Sequence, residues 1–153
     1  MKLWLLFVVC TVVCWGAYVP MIHHGQMAFV PKNNSALRAF LFVGAAYFLM
    51  AGLTLGYLVY TRSEPLQLTR QGVTLSTVAG ILGALGALGI VFALKSGGTP
   101  LVVAPLVFAG APVINTLVSI LWDRPAKPPS VMFYLGIVLA CVGAAIVLRF
   151  KPT

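Results

Sequence analysis

Apolar residues run almost unbroken along this chain, and its few charged positions fall between the runs instead of alternating with them. Five stretches result, at 3–22, 36–60, 73–94, 101–122 and 131–148. Each is long enough to cross a hydrocarbon core of about 30 Å as an α-helix, whose backbone satisfies its own polar groups where water is absent. The breaks carry helix punctuation. Ser35 is placed to cap the second helix; Gly97 and Gly98 stop the third, with Thr99 as N-cap and Pro100 as first helical residue of the fourth; Pro128, Pro129 and Ser130 do the same before the fifth. The connection at 23–35 is the longest and the others are short. Consecutive helices are therefore expected to pack as antiparallel neighbours in an all-α bundle, one membrane domain spanning 1–153.

Composition agrees. The 153 residues are 61% hydrophobic and 8% charged, whereas soluble domains carry about a quarter charged residues, so a soluble globule is excluded. A net charge of +8 on a soluble protein would point to nucleic acid. Here the bases stand singly between apolar runs, where they meet lipid headgroups and set orientation. The expected partner is the bilayer, not nucleic acid. The first run is longer than the core of a secretion signal, contains Trp15 and Pro20, and has no A-x-A-like cleavage site, so it is expected to remain a membrane helix. Cys10 and Cys14 each follow Val, unlike a lipoprotein signal, and together with Cys141 read as small apolar packing residues.

Five spans put the termini on opposite sides. Lys2, Arg62, Arg70, Arg124 and Lys127 then share the N-terminal side, and Lys32, Arg38, Lys95, Arg149 and Lys151 the other. With five against five, the positive-inside rule selects neither orientation. Either another feature fixes one orientation, or the chain inserts both ways and pairs with its inverted copy.

The faces of the helices carry the chemistry. At 100° per residue, Pro105, Phe108, Pro112, Asn115, Thr116 and Ser119 fall in one arc of the fourth span, with Val103, Val107, Ile114, Leu117 and Leu121 pointing away. The two prolines deprive the carbonyls of Leu101 and Phe108 of their helical donors. Such a face fits either a substrate path or a kinked helix bonded to its neighbours. In the first span Trp4, Thr11, Trp15 and Tyr18 share a face; Trp15 and Tyr18 are cavity candidates and Trp4 an interfacial anchor. Small residues form seams suited to close helix packing, notably Gly80 and Gly83 in the third span and Gly136, Ala140 and Gly143 in the fifth. The second span adds Ala45, Gly52 and Gly56.

No Asp or Glu lies inside a span, which disfavours coupling through a buried carboxylate. Walker A, HExxH and CxxC motifs are missing as well, and His23 and His24, at the membrane edge, have no neighbouring ligands in the sequence. No enzyme activity, cofactor or metal is expected.

Over nearly its whole length the chain resembles one five-helix half of the EamA-like branch of the drug/metabolite transporter superfamily. The likeness lies in Cys14-Trp15-Gly16-Ala17, in Ala36-Leu37-Arg38, in Gly86 to Lys95 (GALGIVFALK), in Ala111-Pro112-Val113, and in Leu135 to Leu139 continuing to Gly143. It implies an inner-membrane carrier of small organic solutes, built from two inverted five-helix repeats that alternate access around a central cavity. One repeat here implies a homo-oligomer, and an antiparallel dimer would complete a ten-helix architecture. Two departures stand out: the family's fourth helix often ends in Gly-Glu where this chain reads Trp122-Asp123-Arg124, and the acid in the first helix of the small multidrug-resistance relatives has no counterpart. They favour facilitated exchange of a neutral or anionic solute. The expected cavity residues are Trp15, Tyr18, Arg38, Pro112, Asn115 and Ser119, with Arg38 attracting an anionic group. The competing expectation is a non-transporting membrane subunit packed into a larger complex through its Gly/Ala seams.

Overall fold

The computed structural model describes residues 2–61, 68–122 and 127–151. Arg62, Arg124 and both acidic residues, Glu64 and Asp123, lie outside the described residues. Among the described residues five helices follow one another: α1 (Leu3–Ala28), α2 (Ser35–Thr61), α3 (Arg70–Lys95), α4 (Pro100–Trp122) and α5 (Val131–Arg149), with a 3-10 turn at Lys32–Asn34. Among the described residues there is no strand. All five helices are long and apolar enough to cross a membrane. The shortest, α5, has 19 residues and so rises about 28 Å at ~1.5 Å per residue, close to the thickness of a hydrocarbon core.

Helix ends follow local chemistry. α1 runs through Pro20 and past the expected end at Ile22 to Ala28, taking His23 and His24 into the helix and shortening the connection to 29–34. A proline removes one donor, here the one facing the Gly16 carbonyl, and a long helix tolerates that. The helix stops where Pro31 has no N–H for the Met27 carbonyl, and Lys32 Nζ donates to that carbonyl instead. α3 begins at Arg70, three residues before the apolar run, because the Thr69 hydroxyl accepts the Gly72 N–H at 3.3 Å. At its other end the Ser96 N–H reaches the Phe92 carbonyl at 2.9 Å, and Gly97 adopts φ +97°, a conformation costly to any residue with a Cβ. Ser130 caps α5 as expected, its hydroxyl accepting the Phe133 N–H at 3.3 Å. Pro100 is the first residue of α4, and the Thr99 carbonyl accepts from Val102 at 3.0 Å and Val103 at 2.9 Å. Ser35 differs from expectation: with φ −57° and ψ −39° it is already helical, led in by the 3-10 turn, and is not a cap.

The chain divides into two compact units, Met1–Val19 with Gly97–Thr153, and Pro20–Ser96. In the first, α4 packs on α5, and Val19, Val103 and Ala144 are buried. In the second, α2 packs on α3. Its buried residues are Ile22 and Gln26 from the last turns of α1, Ala36 and Ala39 from the start of α2, and Ile90, Val91 and Leu94 from the end of α3. From there outward every residue at 44–60 of α2 and 70–86 of α3 is exposed. Exposed apolar side chains on this scale are stable in lipid and unstable in water, so the bilayer is the solvent of these helices.

Candidate functional site

The candidate site builds up from two helix faces in the first unit. On α1, Trp15 and Tyr18 lie one turn apart, and their rings meet at 6.2 Å with a 43° tilt. Trp15 also meets Phe108 of α4 edge-on, at 6.1 Å and 74°, a geometry that aromatic quadrupoles favour. One ring on the aromatic face of α1 therefore touches the face of α4 that carries the prolines, a contact that no rule of sequence spacing supplies. Thr11, on the same α1 face, donates its hydroxyl to the Phe7 carbonyl at 2.9 Å and so serves its own helix.

α4 is continuous through Pro105 and Pro112. Continuing its face beyond Phe108, Pro112, Asn115 and Ser119 are exposed and Thr116 is half-buried. Asn115 lies about 10 Å along the axis from Phe108, and Ser119 about 6 Å further. Neither side chain bonds to another described residue. An amide and a hydroxyl on an apolar helix face need water, solute or a second protein surface as partner. Beside Ser119, a shallow open recess is bordered by Val118, Leu121 and Trp122.

Arg38 belongs to the second unit and holds the α1–α2 turn. Its Nη1 donates to the Val30 carbonyl at 3.0 Å and its Nη2 to the Pro31 carbonyl. The guanidinium lies 5.4 Å from the centre of the Phe29 ring, which stacks on Phe42 at 5.8 Å and 12°. Gln26, which the sequence pattern places in a connection, is buried and donates from Nε2 to the Val91 carbonyl at 3.3 Å, tying α1 to α3. An amide at the end of an apolar run is the signal for it: in lipid such a group must find a partner.

The small-residue seams are open. A Cβ built on Gly80, Gly83, Gly136 or Gly143 meets nothing within 4 Å, and Ala140 is exposed. Small residues permit close approach but exert no pull of their own. Cys10, Cys14 and Cys141 form no disulfide and are exposed. His23 is half-buried, with an Nδ1 that has no hydrogen-bond partner among the described residues, and its ring lies 6.1 Å from that of His24. Among the described residues no three His, Cys, Asp or Glu side chains gather as metal ligands.

Fold and site together define an all-α integral membrane protein in which a polar face of α4 continues an aromatic contact. Comparison with models of known protein families finds no match, and comparisons with curated proteins and with solved structures find none.

Proposed function

We propose that the chain is a small-solute carrier of the EamA-like kind, residing in a bacterial inner membrane and working as a dimer by alternating access. One observation carries this reading: the α4 face that meets Trp15 through Phe108 continues into Asn115 and Ser119, exposed and unbonded within the chain. That is half of a polar path with aromatic walls, and a second, inverted copy supplies the other half. Trp15, Tyr18, Pro112, Asn115 and Ser119 line the path. The solute is neutral or anionic, since no carboxylate occurs in any span to receive a cation or a proton.

Two measurements test the proposal. Single cysteines at Leu68 and Lys151, in a background lacking Cys10, Cys14 and Cys141, are labelled from each side of native membranes. An antiparallel dimer requires both positions to label from both sides; labelling of each from one side only excludes it. With Trp4 and Trp122 changed to Phe, Trp15 becomes the sole indole, and its fluorescence is followed across a panel of small neutral and anionic solutes. A saturable response that Asn115→Leu removes supports a carrier.

The open glycines on α3 and α5 favour a second reading, a non-transporting subunit of a larger membrane complex. In that case Gly80→Leu or Gly136→Leu releases a co-purifying partner, and Trp15 responds to no solute.

A further inference from the structure

The α1–α2 turn gathers positive charge in a way the carrier reading does not use. Lys32, Arg38 and Lys95 all belong to the Pro20–Ser96 unit. They collect at the end where α1 and α3 finish and α2 begins. The Gln26 to Val91 hydrogen bond, 3.3 Å, holds the last turns of α1 against α3, and Lys95 follows Val91 by one turn, about 6 Å along the axis.

The partners of these three cations are neutral. Arg38 bonds the Val30 and Pro31 carbonyls, Lys32 bonds the Met27 carbonyl, and Lys95 Nζ lies 6.0 Å from the centre of the Phe92 ring. Carbonyls and rings orient a cation without neutralising it. Two helix C-termini and one N-terminus meet here and together contribute only about half a negative charge, against three positive ones. The guanidinium is fixed over Phe29, which is itself stacked on Phe42. Two of its five N–H groups are engaged, which leaves three donors for an anion. Beside this cluster, exposed Met27, Val30, Leu41 and Phe42 form an apolar border.

We propose that this end of the unit binds an anionic phospholipid. Lys32, Arg38 and Lys95 hold the headgroup phosphate, and the acyl chains lie along Val30, Leu41 and Phe42. Charge alone would also suit free phosphate. The apolar border, and the position at the ends of membrane-spanning helices where headgroups lie, select the lipid. The site stands whether or not the chain moves a solute.

The test uses the full chain in neutral detergent, titrated with phosphatidylglycerol or phosphatidylcholine of the same short acyl chains, with binding read by native mass spectrometry. Phosphatidylglycerol is expected to bind about tenfold more tightly, with each neutralised cation lowering its affinity about fivefold. Lys95→Gln makes that test alone, leaving the turn's hydrogen bonds in place; Lys32→Gln/Lys95→Gln makes it for two charges. Arg149→Gln/Lys151→Gln is expected to keep the full preference. Equal binding of the two lipids, or an undiminished preference in the Lys32/Lys95 variant, overturns the proposal. So does inorganic phosphate that competes at equal concentration, because the site is then one for a free anion.

Discussion

The two units treat their polar side chains in opposite ways. In the Pro20–Ser96 unit the polar side chains around the α1–α2 turn bond within the unit: Gln26 crosses to the Val91 carbonyl, and Arg38 and Lys32 close over the Val30 and Met27 carbonyls. In the other unit Asn115 and Ser119 of α4 are exposed and have no partner among the described residues. Inside a membrane, a polar group bonded within its own chain holds helices together. One left exposed on an apolar face is a demand on something outside the chain. The α4 face therefore offers polar groups to something outside the chain, whereas Gln26 shows how a polar group secures the chain's own helices.

The sharpest way to break this comparison is to remove one amide from each unit. Asn115→Leu is expected to abolish solute-dependent quenching of Trp15 while leaving stability within about 0.5 kcal/mol, as for a substitution with no partner to lose. A solute response that persists in this variant removes the α4 face from the path. Enlarging the seams tests the same unit differently. Nothing lies within 4 Å of a Cβ at Gly136 or Gly80, so leucine at either position enlarges an open seam. A shift from dimer to monomer in cross-linking assigns the seam to a protein surface, and an unchanged dimer assigns it to lipid. Gln26→Leu is the counterpart in the second unit. Losing the α1–α3 hydrogen bond is expected to cost about 1 kcal/mol in SDS-driven unfolding, with the Trp15 response retained.

How much of this is legible in the sequence depends on the range of the interaction. The five helices are, because about 20 apolar residues leave a chain in lipid few alternatives. The Trp15–Tyr18 pairing is also within reach, since it is set by helix periodicity. The Trp15–Phe108 contact is not, because it joins helices that are not neighbours in sequence. Arg38 reads as a group near a membrane edge that attracts an anion; its hydrogen bonds to the Val30 and Pro31 carbonyls are not legible, because every residue has a carbonyl and no pattern marks these two. Pro20 and two histidines look like punctuation and suggest that α1 ends at Ile22. The break comes only where Pro31 has no N–H to offer the Met27 carbonyl.

Caps give the smallest and most local test of the same distinction. Ser35 and Ser130 look alike in sequence, each a serine just ahead of an apolar run. Their roles differ because of what precedes them. Before Ser130 the chain is extended, with φ −68° and ψ 157° at the serine itself, so its hydroxyl turns back to the Phe133 N–H. Before Ser35 the 3-10 turn at Lys32–Asn34 is already wound, and the serine N–H donates to the Lys32 carbonyl. Ser130→Ala is therefore expected to destabilise α5 by about 1 kcal/mol, seen as faster amide exchange in its first turn. Ser35→Ala is expected to leave the first turn of α2 unchanged, because the hydroxyl it removes caps nothing. Equal effects at the two serines would mean that the 3-10 turn does not lead α2 in, and that the clasp of Arg38 over the α1–α2 turn forms only after the helix is capped by other means.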